Sequence, residues 1–232
     1  MTAEDFKAGQ VILIDKPLTW TSFNVVSKIK YALKRQLQLK DLKVGHAGTL
    51  DPLATGLLIV CTGRKTKEIE SIQNTEKEYI ATIEFGKTTP SYDLETQYNG
   101  QFPFEHIDEE AINKAFQSFL GESLQVPPVF SAKMIDGKRA YKYARKGTEV
   151  EMRPNIINIS ELEIISFERP VLVVRIKCSK GTYIRSFAYD LGKALQSGAH
   201  LKGLRRTASG NYHVNDAISL DTFQEKLVTL QP

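Results

Sequence analysis

The sequence predicts an α+β fold around a central mixed, mostly antiparallel sheet flanked by helices and loops. Two patterns support this: some segments alternate apolar and polar residues, which is typical of strands, and others repeat apolar residues at helical spacing. These segments do not follow one another in the regular strand–helix–strand order of a parallel sheet. At 232 residues, the chain suits one large domain or two small ones.

The first third of the chain predicts two strands and a helix, followed by a third strand. "QVILIDKP" predicts a strand that Pro17 ends, and "LLIVCT" predicts a short buried strand. "TSFNVVSKIKYAL" predicts a helix capped by Thr21 or Ser22. Its apolar face consists of Val25, Val26, Ile29 and Leu33. "EYIATIEFG" alternates, with Tyr79, Ala81, Ile83 and Phe85 on one face.

The rest of the chain predicts a long loop, two strands and three helices. Residues 86–103 are polar and rich in turn-forming residues, which favours the loop. "DEEAINKAFQSFLG" predicts a helix that Asp108 caps and Gly121 ends. "VLVVRIKC" predicts a strand, "SKGT" a turn, and "YIRSFAYDLGKALQSG" a helix with Ile184, Phe187, Ala188, Leu191 and Leu195 on its buried face. A short strand near residues 212–214 and a helix from Ser219 close the chain.

Composition is that of an ordinary soluble globular protein, with 41% hydrophobic and 25% charged residues. No apolar run approaches the roughly 20 residues of a membrane span, and the N-terminus lacks the pattern of a signal peptide. We therefore expect a cytoplasmic protein. Cys61 and Cys178 lie in apolar strand-like runs, which favours buried thiols over a disulfide, and the four histidines show no metal-ligand spacing. No metal is predicted.

The positive charges cluster, although the net charge is only +4. Seven basic residues against one acid lie between Lys177 and Arg206, and a second run, "KMIDGKRAYKYARKG", interleaves six basic residues with Tyr141 and Tyr143. Either run alone is more typical of a solvated face. Two such runs with aromatic residues favour a polyanionic partner, most plausibly a nucleic acid.

The stretch "GHAGTLDPLATGLL" places a single carboxylate, Asp51, in a glycine-rich turn immediately before Pro52. A lone Asp-Pro pair usually marks a simple turn. A carboxylate that is held ionised and correctly oriented can also act as a covalent nucleophile. The stretch fits neither GxxxxGK[ST] nor GxGxxG, and GxSxG is absent, so the sequence implies neither ATP, NAD nor a nucleophilic serine.

The whole stretch "GHAGTLDPLATGLLIVCTG" closely resembles the signature of bacterial tRNA pseudouridine synthases of the TruB type. Further segments agree in order over about residues 10–215: "DKPLTWTSFNVV", "KEY", "PPVFSAKMIDGKRAYKYARKG", "CSKGTYIRSFAYDLG" and "HLKGLRRTASG". The resemblance implies the pseudouridine synthase fold, with an active-site cleft across the sheet. It also implies conversion of uridine 55 in the TΨC loop of tRNA to pseudouridine, without a cofactor.

The resemblance also implies site residues. Asp51 matches the family's catalytic aspartate, Tyr79 the tyrosine that lies against the target base, and Arg185 the arginine that pairs with the aspartate. Tyr183, Leu204, His46 and Lys16 are weaker matches, which we predict to contact the substrate. For His46, a hydrogen bond within its own loop is nearly as plausible.

Two departures from the family pattern bear on RNA binding. The chain stops at Pro232, so we expect residues 1–232 to form a single catalytic domain, with the C-terminal RNA-binding module of many relatives absent or vestigial. The segment "GKTTPSYDLET" replaces a more acidic loop, which puts that loop's part in gripping tRNA in doubt. The resemblance predicts a monomer that binds the T-arm of tRNA, without a membrane or an obligate protein partner.

Three points stay open. Asp51 can attack the ribose C1′ or the uracil C6, or elimination can come first. A phosphatase-like reaction through an aspartyl-phosphate is disfavoured, because "PLA" follows Asp51 where that chemistry usually shows DxD. A tRNA-folding chaperone, instead of or besides an enzyme, is a second candidate function.

Overall fold

The computed structural model of the protein describes residues 2–39, 41–135, 137–148 and 150–228. Its α-helices are α1 (Ala3–Ala8), α2 (Ser22–Gln36), α3 (Ile69–Gln73), α4 (Glu109–Gln117), α5 (Ala140–Ala144), α6 (Ile184–Ala194) and α7 (Leu220–Val228). Its strands are β1 (Val11–Lys16), β2 (Val44–His46), β3 (Ala54–Thr62), β4 (Lys77–Phe85), β5 (Lys87–Thr88), β6 (Gly100–Gln101), β7 (Gly121–Gln125), β8 (Met134–Ile135), β9 (Lys138–Arg139), β10 (Asn155–Glu168), β11 (Val171–Cys178), β12 (Ala199–Ser209) and β13 (Tyr212–His213). Short 3₁₀ helices span Gly63–Glu68 and Val214–Asp216.

The chain divides into two compact units. Of the residues that the structure describes, those up to 79 and those from 205 onwards form the terminal unit, and those between 80 and 204 form the central unit. The division falls within β4 and within β12, so each of these strands contributes residues to both units.

The terminal unit holds its strands in the order β1, β3, β12 and β4. β1 is antiparallel to β3, from the pair Val11–Cys61 to the pair Lys16–Gly56, and β2 is antiparallel to β3 with His46 opposite Val60. α2 and α7 cover one face of this sheet with a core that includes Ile14, Val25, Ile29, Leu33, Leu58 and Phe223. Leu57, Ile59 and Cys61 are buried on the other face. Because both faces of β3 are buried, its residues 57–61 form a continuous apolar run.

The central unit holds its strands in the order β12, β4, β11, β10 and β7. β10 and β11 form a long antiparallel pair that ends at Glu168 and Val171, and β7 is antiparallel to the first part of β10. α4 and α6 pack together through Phe116, Phe119 and Phe187, with the rings of Phe119 and Phe187 5.2 Å apart.

The α+β class is confirmed, and most predicted elements lie where the pattern placed them. β1 ends at Lys16, and Thr21 caps α2 by accepting a hydrogen bond from the Asn24 amide. Two predictions were wrong in detail. α4 ends at Gln117, and Gly121 instead begins β7. The predicted loop at 86–103 contains the antiparallel pair β5 and β6.

Two negative findings apply to the described ranges. No helix there has the length and apolarity to cross a membrane. Within the same ranges, His, Cys, Asp and Glu side chains form no group of three or more suited to a metal ion.

Candidate active site

Asp51 lies in the loop between β2 and β3, and hydrogen bonds fix the residues on both sides of it. The Ser22 hydroxyl donates to the Leu50 carbonyl at 3.1 Å and accepts from the Leu50 amide at 2.9 Å. On the other side, the Pro52 carbonyl accepts from the Thr19 amide at 2.8 Å. The Asp51 carbonyl itself closes a turn by accepting from the Ala54 amide at 3.1 Å. The half-buried carboxylate therefore sits on a fixed backbone.

Lys16 joins the end of β1 to this loop. Its ammonium donates to the carbonyls of Pro17 at 3.0 Å, Trp20 at 2.5 Å and Pro52 at 3.4 Å, and the residue has no solvent exposure. Burial lowers the pKa of Lys16 to about 8, the charge of Asp51 opposes this, and the charge of Arg206 adds to it. The Lys16 ammonium thus contacts the Asp51 loop at Pro52. The predicted contact of Lys16 with the substrate stays a prediction.

Arg206 is a buried arginine that the sequence analysis counted only as one member of a basic run. It is 1% exposed, and its guanidinium donates to the carbonyls of Leu57 at 2.8 Å and Gly48 at 3.1 Å. These two acceptors lie on opposite sides of Asp51 in the sequence. The guanidinium therefore connects the start of the Asp51 loop with β3.

Two glycines of the motif make room for Arg206. Gly48 has a φ of +98°, and a Cβ atom there would lie 3.2 Å from Nη1 of Arg206. Gly56 has a φ of +97°, and a Cβ atom there would lie 2.3 Å from the carbonyl oxygen of Arg206. The glycines thus serve a left-handed backbone and the close approach of β12 rather than a phosphate.

His46 lies at the end of β2, before the Asp51 loop. Its Nδ1 atom is buried and has no hydrogen-bond partner among the described residues. Burial lowers the pKa of His46, and the charge of Arg206 lowers it further, whereas the Gly48 backbone opposes both. Burial and the neighbouring charge thus favour the neutral ring. The predicted contact of His46 with RNA stays a prediction.

Tyr79 lies in β4 and is 9% exposed. Two residues earlier, the buried ammonium of Lys77 donates to the carbonyls of Gln73, at 2.5 Å, and Thr75. The lysine of the Lys-x-Tyr motif thus fixes the start of β4 to the end of α3.

Arg185 and Asp93 form a buried ion pair in the central unit. Nε of Arg185 lies 3.6 Å from Oδ2 of Asp93, and the two side chains are 4% and 6% exposed. Arg185 also donates to the carbonyls of Phe130 at 2.9 Å and Ser91 at 3.3 Å. Asp93 was missed, although it is the aspartate of the segment "GKTTPSYDLET" that departs from the family pattern. The predicted pairing of Arg185 with Asp51 stays a prediction.

Tyr183 and Leu204 are half-buried residues of the central unit. Tyr183 immediately precedes α6, and the side-chain amide of Gln125 holds its backbone: Oε1 accepts from the Tyr183 amide at 2.8 Å, and Nε2 donates to its carbonyl at 3.1 Å. Leu204 lies in β12, two positions before Arg206. Of the predicted site residues, Lys16, His46, Asp51 and Tyr79 lie in the terminal unit, and Tyr183, Arg185 and Leu204 in the central unit.

Four of the seven basic residues between Lys177 and Arg206 form ion pairs with acids that are distant in sequence. The ion pairs are Lys177 with Glu161 at 2.8 Å, Arg185 with Asp93, Lys202 with Glu84 at 2.7 Å, and Arg205 with Asp15 at 2.7 Å. That this run offers charge to a polyanion stays a prediction.

The basic segment at 133–147 differs, because Lys138, Arg139, Lys142 and Lys146 are exposed. They lie on the β8–β9 pair and on or just beyond α5. Arg145 pairs with Glu95 at 2.9 Å, and 64% of its side chain is exposed. The segment at 133–147 therefore exposes positive charge on the protein surface, as its sequence predicted.

Residues 34–184 match the family model described as "TruB family pseudouridylate synthase (N terminal domain)". The chain belongs to this family. Residues 185–231 match the model of the tRNA pseudouridylate synthase B C-terminal domain. The expectation of a single domain without a C-terminal module stays a prediction.

Individual relatives agree with the family models. The tRNA pseudouridine synthase B of Phocaeicola vulgatus is 53% identical over 96% of this chain and 95% of its own length. That of Flavobacterium johnsoniae is 53% identical over 98% of this chain and its full length. The predicted enzyme class, a pseudouridine synthase, is therefore confirmed.

The fold is also that of solved pseudouridine synthases. A chain in the crystal structure of a Cbf5–Nop10–Gar1 complex superposes with a TM-score of 0.73 and is 29% identical. The match covers 97% of this chain and 56% of the chain in that complex, so this chain spans about half of the longer one. The pseudouridine synthase fold that the resemblance implied is confirmed.

Proposed function

We propose that this protein converts uridine 55 in the TΨC loop of tRNA to pseudouridine, with Asp51 as the nucleophile and without a cofactor. The observation that carries the proposal is the fixed position of Asp51 within the family signature. Ser22 and Lys16 hold the residues on either side of it. A backbone fixed in this way supports the role, because covalent catalysis requires a nucleophile in a defined position.

The reaction is an isomerisation in which no atoms are gained or lost. The bond between C1′ of the ribose and N1 of uracil breaks, the base turns, and C5 bonds to the same C1′. The proton on C5 leaves to solvent, and N1 gains a proton. No electrons are transferred to another molecule, so the chemistry needs an anionic group and a pocket that retains the free base.

Asp51 supplies the anionic group in this scheme. Attack at C1′ would form an ester with the ribose, and attack at C6 would form an adduct with uracil. Elimination before attack is a third route. In each case the carboxylate stabilises or traps an electron-poor centre. Lys16 lies within electrostatic reach of Asp51 and, where protonated, favours the ionised carboxylate.

Arg185 and Tyr79 complete the proposed catalytic set. Arg185 would pair with Asp51, and its bonds to Asp93 and Phe130 support this role by fixing the guanidinium. Tyr79 would stack against the extruded uracil, since an aromatic ring offers a flat surface to a base. His46, Tyr183 and Leu204 would contact the neighbouring nucleotides and the sugar.

Binding of tRNA has to supply the energy for base flipping. Extruding a stacked and paired uridine costs a few kcal/mol. Phosphate contacts offset this cost, and the exposed lysines and arginines at 133–147 are suited to make them. We infer that the protein acts on the T-arm as a cytoplasmic monomer without an obligate protein partner.

The test uses tRNA labelled with tritium at C5 of its uridines. Pseudouridine formation releases the C5 hydrogen, so we expect the wild-type protein to release tritium and Asp51→Asn to release none. A transcript with cytidine in place of uridine 55 is the control and should release none. Release from that control at the wild-type rate would contradict the proposed position. If neither protein releases tritium while both accelerate tRNA folding, the chaperone function replaces the enzymatic one.

A further inference from the structure

We propose that Arg206 is a positioning residue for the isomerisation, because its side chain fixes the Asp51 loop to β3 on both sides of the nucleophile. The proposal rests on the function proposed above. All of the groups that it involves lie within the terminal unit.

The contacts of the Arg206 guanidinium span the loop. Nη2 donates to the carbonyl of Gly48, three positions before Asp51, and Nε donates to the carbonyl of Leu57, six positions after it. A guanidinium is planar, so the positions of its donors relative to each other are fixed. One rigid group thereby holds one backbone carbonyl on each side of the nucleophile.

The backbone around Arg206 is adapted to this arrangement. The left-handed Gly48 lets the guanidinium approach, and Gly56 lets the Arg206 backbone lie against β3. Closer to the nucleophile, Ser22 holds Leu50 and Lys16 holds Pro52. Arg206 supplies an outer pair of attachments, in addition to the backbone pairing of β2 with β3 at the ends of the loop.

Ion pairing does not account for the burial of this arginine. Moving a guanidinium out of water is unfavourable unless other partners replace its contacts with water. Among the described ion pairs, Arg206 has no carboxylate partner, and its neighbour Arg205 instead pairs with Asp15 through two bonds of 3.0 and 2.7 Å. Arg205 is partly exposed, whereas Arg206 is not. The carbonyls of the Asp51 loop and β3 are the partners that compensate its burial.

The positive charge of Arg206 also acts on the groups beside the loop. It contributes to the lowered pKa of both His46 and Lys16. The same charge favours an anion in the loop, and Asp51 is the carboxylate that the loop carries. Position and charge therefore act in the same direction, towards an ionised and correctly placed nucleophile.

The experiment compares Arg206→Gln and Arg206→Lys with Arg205→Gln as the matched control. Hydrogen exchange of peptides covering residues 47–57 reports on the loop without any reaction. Single-turnover rates and tRNA dissociation constants separate chemistry from binding. Arg206→Lys keeps the positive charge, but its shorter side chain cannot keep both contacts. This variant therefore distinguishes the effect of the charge from the effect of holding both carbonyls.

We expect faster exchange of residues 47–57 in both Arg206 variants and wild-type exchange in Arg205→Gln. A displacement of about 1 Å costs roughly 100-fold in rate, so we expect a loss of that order for Arg206→Gln. We expect roughly a tenfold loss for Arg206→Lys, because one contact and the charge remain. Dissociation constants for tRNA should stay within about twofold, since phosphate contacts elsewhere carry the affinity.

Unchanged exchange in both Arg206 variants would overturn the proposal. So would unchanged single-turnover rates with only a lower melting temperature, because Arg206 would then serve stability alone. If Arg206→Gln does not fold, Arg206→Lys decides by the same two readouts. Absence of pseudouridine with the wild-type protein would contradict the proposed function alone, and the exchange measurement would then decide whether Arg206 fixes the loop.

Discussion

Nε of Arg185 lies 3.6 Å from Oδ2 of Asp93, with both side chains almost completely buried. Removing one charge of a buried ion pair is strongly destabilising. The Asp93 backbone is held as well, because its carbonyl accepts from the hydroxyls of Thr89 at 2.6 Å and Ser91 at 3.1 Å. The segment that departs from the family pattern is thus a rigid support for a predicted catalytic arginine.

Asp93→Asn should destabilise the protein and slow the reaction together. We expect the free energy of unfolding to fall by about 3 kcal/mol, because the variant loses one charge of a buried ion pair. Glu95→Gln is the control, since it breaks the exposed pair with Arg145, worth at most about 1 kcal/mol. Urea unfolding measures both variants. Equal losses in the two variants would show that burial of the Arg185–Asp93 pair is unimportant.

Gly56→Ala should be much more destabilising than Gly181→Ala. Both glycines have positive φ, +97° and +88°, but a Cβ atom at Gly56 would lie 2.3 Å from the Arg206 carbonyl, whereas Gly181 has nothing within 4 Å. The shared backbone strain costs about 1 kcal/mol. The collision at Gly56 adds to it, by about 3 kcal/mol or more if β12 must move. Similar melting temperatures for the two variants would contradict the close approach of β12 to the loop.

Lys16 predicts a specific pH dependence of stability. Its pKa is about 8 in the folded protein against an ordinary value of 10.5. Below pH 8 the folded protein therefore holds the buried Lys16 side chain in its charged form, which lowers the free energy of unfolding. This loss of stability disappears as the pH rises to 10.5. The stabilisation gained over this range amounts to about 3 kcal/mol.

The measurement is urea unfolding of the wild-type protein and Lys16→Met at pH 7.5, 9 and 10, values chosen to span roughly that interval. We expect the difference in unfolding free energy between the two proteins to change in favour of the wild type as the pH rises. A difference that does not vary with pH would mean that Lys16 titrates at its ordinary pKa.

The two basic runs should contribute unequally to tRNA binding. Lys138 and Lys142 are exposed, so Lys138→Gln combined with Lys142→Gln should weaken binding and lower the salt dependence by about one per lost phosphate contact. Lys177→Gln is the control, because Lys177 pairs with Glu161. Dissociation constants over a range of salt concentrations measure both. An equal effect of Lys177→Gln would show that the ion pair with Glu161 does not withhold Lys177 from RNA.

Local patterns located the strands and helices that they predicted, because the causes lie within a few residues, but they did not reveal β7, β10 or β12. Alternation located β4, and helical spacing with the Thr21 cap located α2. The motif around Asp51 was found for the same reason. The end of α4 was misplaced because Gly121 begins a strand rather than ending a helix.

Contacts between distant residues could not be predicted in this way. Arg206 and Lys177 look alike as members of one basic run, yet one is buried against carbonyls and the other pairs with Glu161. Counting charges along the chain cannot distinguish them. The role of Gly56 could not be predicted either, because β12, the strand that packs against it, begins more than a hundred residues later.

The most direct test of the account is to map pseudouridine at single-nucleotide resolution in an unmodified tRNA transcript, after reaction with the wild-type protein or with Asp51→Asn. We predict pseudouridine at position 55 with the wild-type protein and none with Asp51→Asn, although the variant still binds tRNA. Pseudouridine formed equally by both proteins would contradict the role of Asp51. Its absence from position 55 with the wild-type protein would contradict the proposed function itself.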